Sequence, residues 1–232
     1  MRIFLQQAYC MHTRRYKESS LIIEALTLEH GLISCVHRGA SRNNASLDLL
    51  FTPLIISWAG KGDLYTLTHI ETDGSKLIMQ PNKCILGMYL NELILKLVPK
   101  SSPSKDMYNL YKNVIGLLND NTSQEKLLRL FEVELLSIIG HGLSLDKEMD
   151  HETPIQENCY YRYDVGIGPA KVKHKSTAWN IVEGATLVAL QSPLHMDSNC
   201  LKEAKHLMRG IINWHLDSRA LHSREILQFL QV

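Results

Sequence analysis

Two apolar, β-rich runs separated by a glycine-containing turn constrain the fold of this chain most strongly. The first run covers residues 21–28 and the second covers residues 32–36, with the turn Glu29-His30-Gly31 between them. Runs of five to eight such residues around a short glycine turn are typical of a β-hairpin. The sequence therefore predicts a hairpin near the amino terminus, around which further strands can assemble.

Three further strand-like runs flank this hairpin. Residues 3–11 precede it, residues 53–58 follow it, and residues 64–71 alternate apolar and polar side chains with a period of two. Five short strands joined by glycine-containing turns indicate a small closed barrel. The preferred interpretation is an OB-fold, a five-stranded barrel, and an SH3-like barrel is the nearest alternative.

The pattern changes to a helical period after Pro81. Apolar residues three and four apart predict helices near residues 82–98, 108–118, 122–138, 185–190 and 198–215, and a last helix that holds Leu221, Leu227 and Leu230. Thr122 and Glu125 have the spacing of a capping box at the third of these helices. We therefore expect an α+β chain. It would have an N-terminal five-stranded OB-fold barrel at residues 1–80 and a C-terminal α-helical domain at residues 81–232, with an irregular insertion at about 146–184.

Composition is that of an ordinary globular protein. Of the 232 residues, 45% are hydrophobic and 21% are charged, and the formal net charge is +1. The charge is unevenly distributed, because residues 1–44 hold six Lys or Arg against three acids. Five scattered cysteines, no signal-peptide pattern and no long apolar run predict a cytoplasmic protein with reduced thiols and no membrane span.

The basic residues of the barrel region are the first candidates for a binding site. A barrel would bring the loops around its first strands to one face, where several cations could neutralise the phosphates of a nucleic acid. They could equally be ordinary solvated charges. Tyr16 and Tyr65 are candidates for stacking on bases, although both suit a barrel core or edge as well, and Trp58 is expected in the core. The cations are Arg14, Arg15, Lys17, Arg38 and Arg42.

The sequence contains no recognisable catalytic motif. The turn Gly60-Lys61-Gly62-Asp63 lacks the hydroxyl of a phosphate-binding P-loop, and Gly166-Ile167-Gly168-Pro169 lacks the strand and helix of a dinucleotide site. Cys35 and His37 would share one face of a strand, but no third group orients them as nucleophile and base. The sequence therefore predicts a protein that is not an enzyme.

A metal site is not expected either. The chain has no Cys-x-x-Cys pair, and Cys159 stands alone in the insertion, with His151 and His174 at loose spacing. Solvated loop histidines are the simpler interpretation of these residues.

Short stretches of note are spread along almost the whole chain. They are YKESS at 16–20, HGLIS at 30–34, RGA at 38–40, LFTPL at 50–54, WAGKGDL at 58–64, YLNEL at 89–93, RLFEVELL at 129–136, GHGL at 140–143 and SR at 223–224. Together they resemble the RecO family of bacterial recombination mediators and DNA repair proteins. Each stretch is common by itself, and the resemblance depends on their order and spacing.

This resemblance implies an N-terminal OB-fold, a C-terminal helical domain, binding of single- and double-stranded DNA, and annealing of complementary strands without ATP. The implied role is recombinase loading during repair of double-strand breaks and gaps, close to the nucleoid. The implied partners are RecR, the RecA recombinase and the acidic C-terminal tail of single-stranded-DNA-binding protein (SSB). An OB-fold adaptor that binds proteins or RNA without annealing is the alternative. The implied DNA-binding residues are Arg14, Arg15, Lys17, Arg38 and Arg42, with Lys61 as a weaker candidate.

Two expectations for the helical domain also follow from the resemblance. Many family members carry a four-cysteine zinc site in the insertion, whereas this chain has only Cys159 there, so no zinc is expected. The insertion should then be ordered by packing of aromatic residues, namely Tyr160, Tyr161, Tyr163 and Trp179.

The acidic tail of SSB would require an apolar pocket beside a cation. The candidate partner-binding residues are Arg129, Phe131 and Arg224. Arg129 could instead pair with Glu125 or Glu132 on its own helix.

Overall fold

A computed structural model describes residues 1–39, 49–74, 79–120, 122–217 and 219–229. These residues form two compact units: Met1–Ile115 with Leu221–Val232, and Gly116–Ala220. The strands are β1 Arg2–Tyr16, β2 Ser20–Thr27, β3 Gly31–Arg38, β4 Pro53–Ala59, β5 Tyr65–Thr72, β6 Tyr160–Asp164, β7 Gly168–Val172 and β8 Ile181–Glu183. The α-helices are α1 Pro81–Leu97, α2 Lys105–Leu118, α3 Gln124–Ile138, α4 Gly184–Ala189, α5 Ser198–Leu216 and α6 His222–Phe229, with a 3-10 turn at Pro193–His195.

The first five strands close into a barrel in the order β1-β2-β3-β5-β4, with β4 pairing back onto β1. All neighbours are antiparallel except β3 and β5, which run parallel and pair at Cys35 with Tyr65 and at Val36 with Thr66. This five-stranded order is that of the OB-fold. The predicted α+β class and the OB-fold interpretation are confirmed, and the SH3-like alternative is not needed.

Alternate residues of each strand fill the barrel interior, as the period of two requires. Trp58 is 1% exposed and lies against the rings of His30 and Tyr65, so its predicted core position is confirmed. The buried interior residues are Ala8, Cys10, Ile23, Ala25, Ile33, Cys35, Leu54, Ile56, Trp58 and Leu67.

Strand β1 is longer than the sequence indicates. The prediction that it ends at residue 11 is wrong, because a bulge between Cys10 and His12 lets the strand bend and continue to Tyr16. Its first half pairs with β4 and its second half with β2. This continuation places Arg14 and Arg15 inside a strand rather than in a loop.

Helices α1 and α2 pack beside the barrel in the first unit through buried polar contacts as well as apolar ones. The amide of Asn91 donates to the carbonyl of Met11 at 2.9 Å, and the Tyr111 hydroxyl donates to Asn91 Oδ1 at 2.7 Å. The ring of Tyr9 on β1 lies 5.5 Å from that of Tyr108 and 5.1 Å from that of Tyr111. These contacts fix the helices to one side of β1.

The second unit surrounds its own apolar core, formed by α3, α4, α5 and the sheet β7-β6-β8. The expectation of an irregular segment at 146–184 is therefore wrong for β6, β7 and β8. Tyr161 and Tyr163 are buried in this core, as expected, and the Tyr161 hydroxyl accepts a hydrogen bond from the backbone of Gln156 at 3.0 Å. Trp179 packs against Gly210, where a Cβ would lie 1.8 Å from the indole ring.

The predicted cap of α3 differs from the observed helix start, and α5 is capped from the residue before it. Helix α3 begins at Gln124 after Ser123, which makes no side-chain capping bond, so the capping box at Thr122 is wrong. Helix α5 is capped by Asp197, whose carboxylate accepts from the backbone N–H groups of Asn199 and Cys200 at 2.8 Å.

Among the described helices, none is both long enough and apolar enough to cross a membrane.

Candidate nucleic-acid interface

The end of β1, the start of β2 and the end of β3 lie side by side. Together with the β1–β2 turn they carry most of the candidate cations. Directly opposed residues in adjacent strands point to the same face of a sheet. The two rows at this end are Arg14–Ile22–Val36 and Tyr16–Ser20–Arg38. Arg14 and Arg38 are both exposed, and the three strands thus bring them to one surface from positions 24 residues apart.

These two rows face outward from the barrel. Ile23 and Cys35, which adjoin Ile22 and Val36 in their strands, belong to the interior, so their neighbours in each strand point the other way. Arg15 shares a row with Leu21 and His37, which continues the inward-facing set at the end of the barrel. The structure therefore brings Arg14 and Arg38 together and separates Arg15 from them.

Lys17 extends the same surface through the β1–β2 turn. Its backbone has a positive φ of 55°, and its ammonium lies 5.4 Å from the centre of the Tyr16 ring. A cation over an aromatic face is stabilised by the ring electrons, and here it holds the lysine beside the strand end. We call Arg14, Tyr16, Lys17 and Arg38 the basic hairpin end. In the described part of the chain, no carboxylate forms an ion pair with its three cations.

Lys100 is a cation on this surface that sequence reasoning missed. The next outward row is His12–Glu24–Ser34, and the Lys100 ammonium lies 3.1 Å from Glu24 Oε2 and 2.7 Å from the Ser34 hydroxyl. It thereby offsets the only acidic side chain of that row. No local pattern could reveal this contact, because Lys100 is 76 residues from Glu24 in the sequence.

The middle of this outer face is covered, since Ile22 in the Arg14 row is only 3% exposed. Leu26 and Leu32 also point outward, yet each is only 1% exposed. The backbone N–H of Ser101 donates to the carbonyl of Leu32 at 2.9 Å, so the α1–α2 connection crosses the strand there. A bound strand would therefore contact the hairpin end and not the full width of β2 and β3.

Lys61 lies apart from the basic hairpin end along β1. It is exposed in the β4–β5 turn, and Gly60 exchanges two 3.1 Å hydrogen bonds with Met1. Register thus places Lys61 beside the start of β1, whereas Arg14 lies near its end. Tyr65 is half-buried against the barrel interior and does not offer an open ring. Arg42 lies outside the described residues.

The three candidate partner-binding residues have different surroundings. Arg129 is 7% exposed and donates to Glu132 at 2.7 Å, which is the intrahelical pair that the sequence left open. Phe131 is fully buried in the second unit and has no surface for a partner. Arg224 on α6 lies over the Tyr89 ring and donates to its hydroxyl at 3.3 Å.

The thiols of the barrel are not suited to nucleophilic chemistry. Burial, and secondly the charge of Glu24, raise the pKa of Cys35 to about 12. Burial also lowers the pKa of His37, whose Nδ1 is buried without a partner among the described groups. No cluster of three or more His, Cys, Asp or Glu residues in the described ranges is arranged to hold a metal ion.

The barrel and its cationic hairpin define a protein of the OB-fold class with a helical second part. Residues 1–75 match the family described as "Recombination protein O N terminal", and residues 79–225 match "Recombination protein O C terminal". The chain therefore belongs to the RecO family of DNA repair proteins.

Named relatives cover nearly the whole chain. A DNA repair protein RecO from Methylococcus capsulatus is 37% identical over 98% of this chain and 94% of its own length. The corresponding proteins of Nitrosococcus oceani and Coxiella burnetii are 36% and 34% identical, over 100% and 97% of this chain and 95% and 98% of their own lengths.

Proposed function

We propose that this chain is a non-enzymatic DNA-binding mediator of recombinational repair. It binds single- and double-stranded DNA and anneals complementary strands without ATP. It helps to load a recombinase onto single strands covered by SSB, in the repair of double-strand breaks and gaps. Its partners are RecR, RecA and the acidic C-terminal tail of SSB, and it acts in the cytoplasm at the nucleoid.

The proposal rests on one observation: two adjacent outward-facing rows place Arg14, Tyr16 and Arg38 on one surface, with Lys17 in the turn beside them. Arg14 and Arg38 on two adjacent rows, with Lys17 in the neighbouring turn, place three exposed cations on one surface, where they can neutralise several phosphates of one strand. The half-buried Tyr16 ring supplies an aromatic surface in the same place. Membership of the RecO family supports the assignment of DNA as the ligand.

Annealing requires no nucleophile or metal in this mechanism. Cations that neutralise phosphates reduce the repulsion between two strands, and release of their counterions favours the gathered state. Base pairing then supplies the free energy of the product.

A charge-reversal experiment tests this function. The variant R14E/K17E/R38E changes only exposed side chains and is expected to lose single-strand affinity and annealing together. The slope of log K against log salt should fall by about 2, because each lost phosphate contact to a single strand contributes roughly 0.7. Binding is measured by fluorescence anisotropy, and annealing by energy transfer between labelled oligonucleotides.

A matched control carries the same charge change on the second unit. Lys173, Lys202 and Arg209 are exposed there, and K173E/K202E/R209E should retain binding and annealing near the wild-type level. Equal losses in both variants would mean that net charge, not the hairpin end, decides binding. Normal DNA binding without annealing in the wild type would favour the OB-fold adaptor instead.

A further inference from the structure

The outer face of β1, β4 and β5 carries apolar side chains that the proposed DNA interface does not use. The pairing of β1 with β4 shifts after Ile3, and this bulge turns two successive side chains, Phe4 and Leu5, away from the barrel interior. Phe4 is 59% exposed and Leu5 is 63% exposed. Neighbouring apolar side chains of this size are normally covered, so their joint exposure indicates an interaction surface.

The backbone at Leu5 has a conformation that a leucine rarely adopts. Its φ is +48°, in the left-handed region that Gly and Asn tolerate best. The N–H of Leu5 donates to the hydroxyl of Ser57 at 3.0 Å, and Ser57 is 3% exposed, so β4 holds this conformation in place. Strain of this kind is concentrated at sites with a function. Here it keeps an apolar side chain in solvent, where that side chain gains no burial within its own chain.

Charged side chains lie at opposite ends of this face. The outward rows across the three strands are Arg2–Ala59–Thr66 at one end and Gln7–Ile55–Glu71 at the other, with Phe4 and Leu5 between them. Arg2 is exposed, and its guanidinium lies 5.1 Å from the centre of the Phe4 ring. The first end is therefore positive. In the adjoining β4–β5 turn, Lys61 and Asp63 offset each other in charge.

The opposite end is negative. The carboxylate of Glu71 lies 3.4 Å from His69 Nε2, and the Glu71 side chain is still 56% exposed. Asp73 is also exposed there, and the amide of Gln7 donates to it at 3.4 Å. We call Arg2, Phe4, Leu5, Glu71 and Asp73 the outer patch.

A patch that is apolar in its middle and oppositely charged at its ends is complementary to itself. If a second copy is related by a two-fold axis in the plane of the patch, Arg2 of one copy can face Glu71 of the other, twice over. The apolar side chains then meet in the middle. A nucleic acid would instead meet two carboxylates at one end, and a uniformly acidic or basic peptide would meet like charge at one end.

We propose that the outer patch is the contact surface of a symmetric dimer of this chain. The strands β1, β4 and β5 are paired within the closed barrel, so the two copies meet through side chains and not by strand addition. The basic hairpin end lies at the other end of β1 and takes no part in the contact. The dimer would therefore carry two DNA-binding surfaces, although its formation does not depend on DNA.

Sedimentation velocity of the full chain in a reducing buffer tests the dimer. Between about 1 and 300 µM, the wild type should change from monomer to dimer with a Kd of about 10–100 µM, as suits a small interface. L5N keeps a residue that tolerates the left-handed backbone and removes the apolar side chain, so it should weaken the dimer by about tenfold or more without lowering the unfolding temperature. The control K202E changes an exposed residue of the second unit and should leave the Kd unchanged.

A charge exchange identifies the two residues that face each other. R2E and E71R should each weaken the dimer by about tenfold, because the two-fold axis makes every reversal count twice. Mixed in equal amounts, these two variants should associate with each other about as tightly as the wild type does, since both contacts again join opposite charges. The double variant R2E/E71R should dimerise by itself for the same reason.

Several results would overturn the proposal. They are a wild type that stays monomeric over the whole concentration range, a dimer that neither L5N nor R2E weakens, or a mixture of R2E and E71R that does not associate. Loss of single-strand binding in L5N would assign the patch to nucleic acid and would also overturn it. R14E/K17E/R38E should dimerise like the wild type, so failure of the DNA interface and failure of the dimer can be told apart.

Discussion

The carboxylate of Glu92 on α1 accepts a 2.6 Å hydrogen bond from the hydroxyl of Ser223, which lies 131 residues further along the chain on α6. It also accepts from the backbone N–H groups of His222 and Ser223, each at 3.0 Å. The first turn of α6 is therefore capped by a side chain of another helix, at the amino-terminal end that favours a negative charge.

Replacing Glu92 by Gln should loosen α6. Gln removes the negative charge and one of the two acceptor oxygens, and hydrogen bonds to a charged group contribute about 1.5–3 kcal/mol. Hydrogen exchange of residues 222–226 should accelerate by a factor set by that loss. The control is E125Q, because Glu125 and Lys205 form a pair that is half exposed on both sides, and its loss should change stability by less than about 1 kcal/mol. Unchanged exchange in E92Q would mean that α6 is held by its apolar contacts alone.

Acid should loosen the same helix. Burial raises the pKa of Glu92, but hydrogen bonds from Ser223, Lys96 and His222 outweigh burial and lower this pKa to about 2, against an ordinary value of 4.5. A carboxyl with a lowered folded-state pKa stabilises the fold above its ordinary pKa and loses that contribution as the pH falls toward the folded value. We expect exchange at α6 to rise between about pH 4.5 and 2 in the wild type, with a weaker dependence in E92Q.

Arg14 and Arg15 should differ in their effect on DNA affinity although they are sequence neighbours. Arg14 points outward with Arg38, and Arg15 shares the inward-facing row of Leu21 and His37. R14E should therefore lower single-strand affinity and the salt slope more than R15E does. Anisotropy titrations at several salt concentrations measure both quantities. A larger effect of R15E would place the DNA at the barrel mouth instead of the outer face.

Gly31→Ala should destabilise the first unit more than Gly39→Ala. Both glycines have positive φ, which costs an alanine about 1 kcal/mol. At Gly31 a Cβ would also lie 2.3 Å from the carbonyl oxygen of Ser102, whereas nothing lies within 4 Å at Gly39. The expected loss in unfolding free energy is about 2 kcal/mol or more for G31A. Urea denaturation of both variants measures the difference, and equal losses would show that the α1–α2 connection moves away freely.

Arg129→Met should destabilise the second unit strongly. The change removes the 2.7 Å hydrogen bond that Arg129 donates to the carboxylate of Glu132, which is 1% exposed, and breaking such a buried pair costs about 3–5 kcal/mol. The double variant R129M/E132M should recover most of that loss. Thermal unfolding of R129M and of R129M/E132M measures the difference in stability between the two variants. A stable R129M with reduced affinity for the SSB tail would instead assign Arg129 to partner binding.

The strands of the barrel could be predicted from the sequence because their apolar runs are long and turns between them contain glycine. The features that decide which residues form the candidate site could not be predicted. The bulge between Cys10 and His12 carries no local signal, yet it determines that Arg14 and not Arg15 faces outward. Lys100 joins the surface through a contact across 76 residues, which no pattern within a single segment contains.

The small sheet of the second unit was missed for a different reason. Its strands have only five, five and three residues, which is too short for a period to stand out against chance. Their order depends on buried tyrosines whose partners lie elsewhere in the unit, such as the backbone N–H of Ser144, which donates to the Tyr163 hydroxyl at 3.1 Å. The aromatic residues were nevertheless a usable signal, since Tyr161 and Tyr163 are in the core.

The first compact unit is discontinuous, because the segment from Leu221 belongs with Met1–Ile115 and the second unit is inserted between them. On the ribosome, the barrel strands therefore emerge long before their unit can be completed. Until residues 222 and 223 have been synthesised, Glu92 lacks the donors that α6 provides. A nascent chain stopped before Leu221 would expose the α1 surface that α6 covers, and we expect cellular proteases to recognise such truncated products.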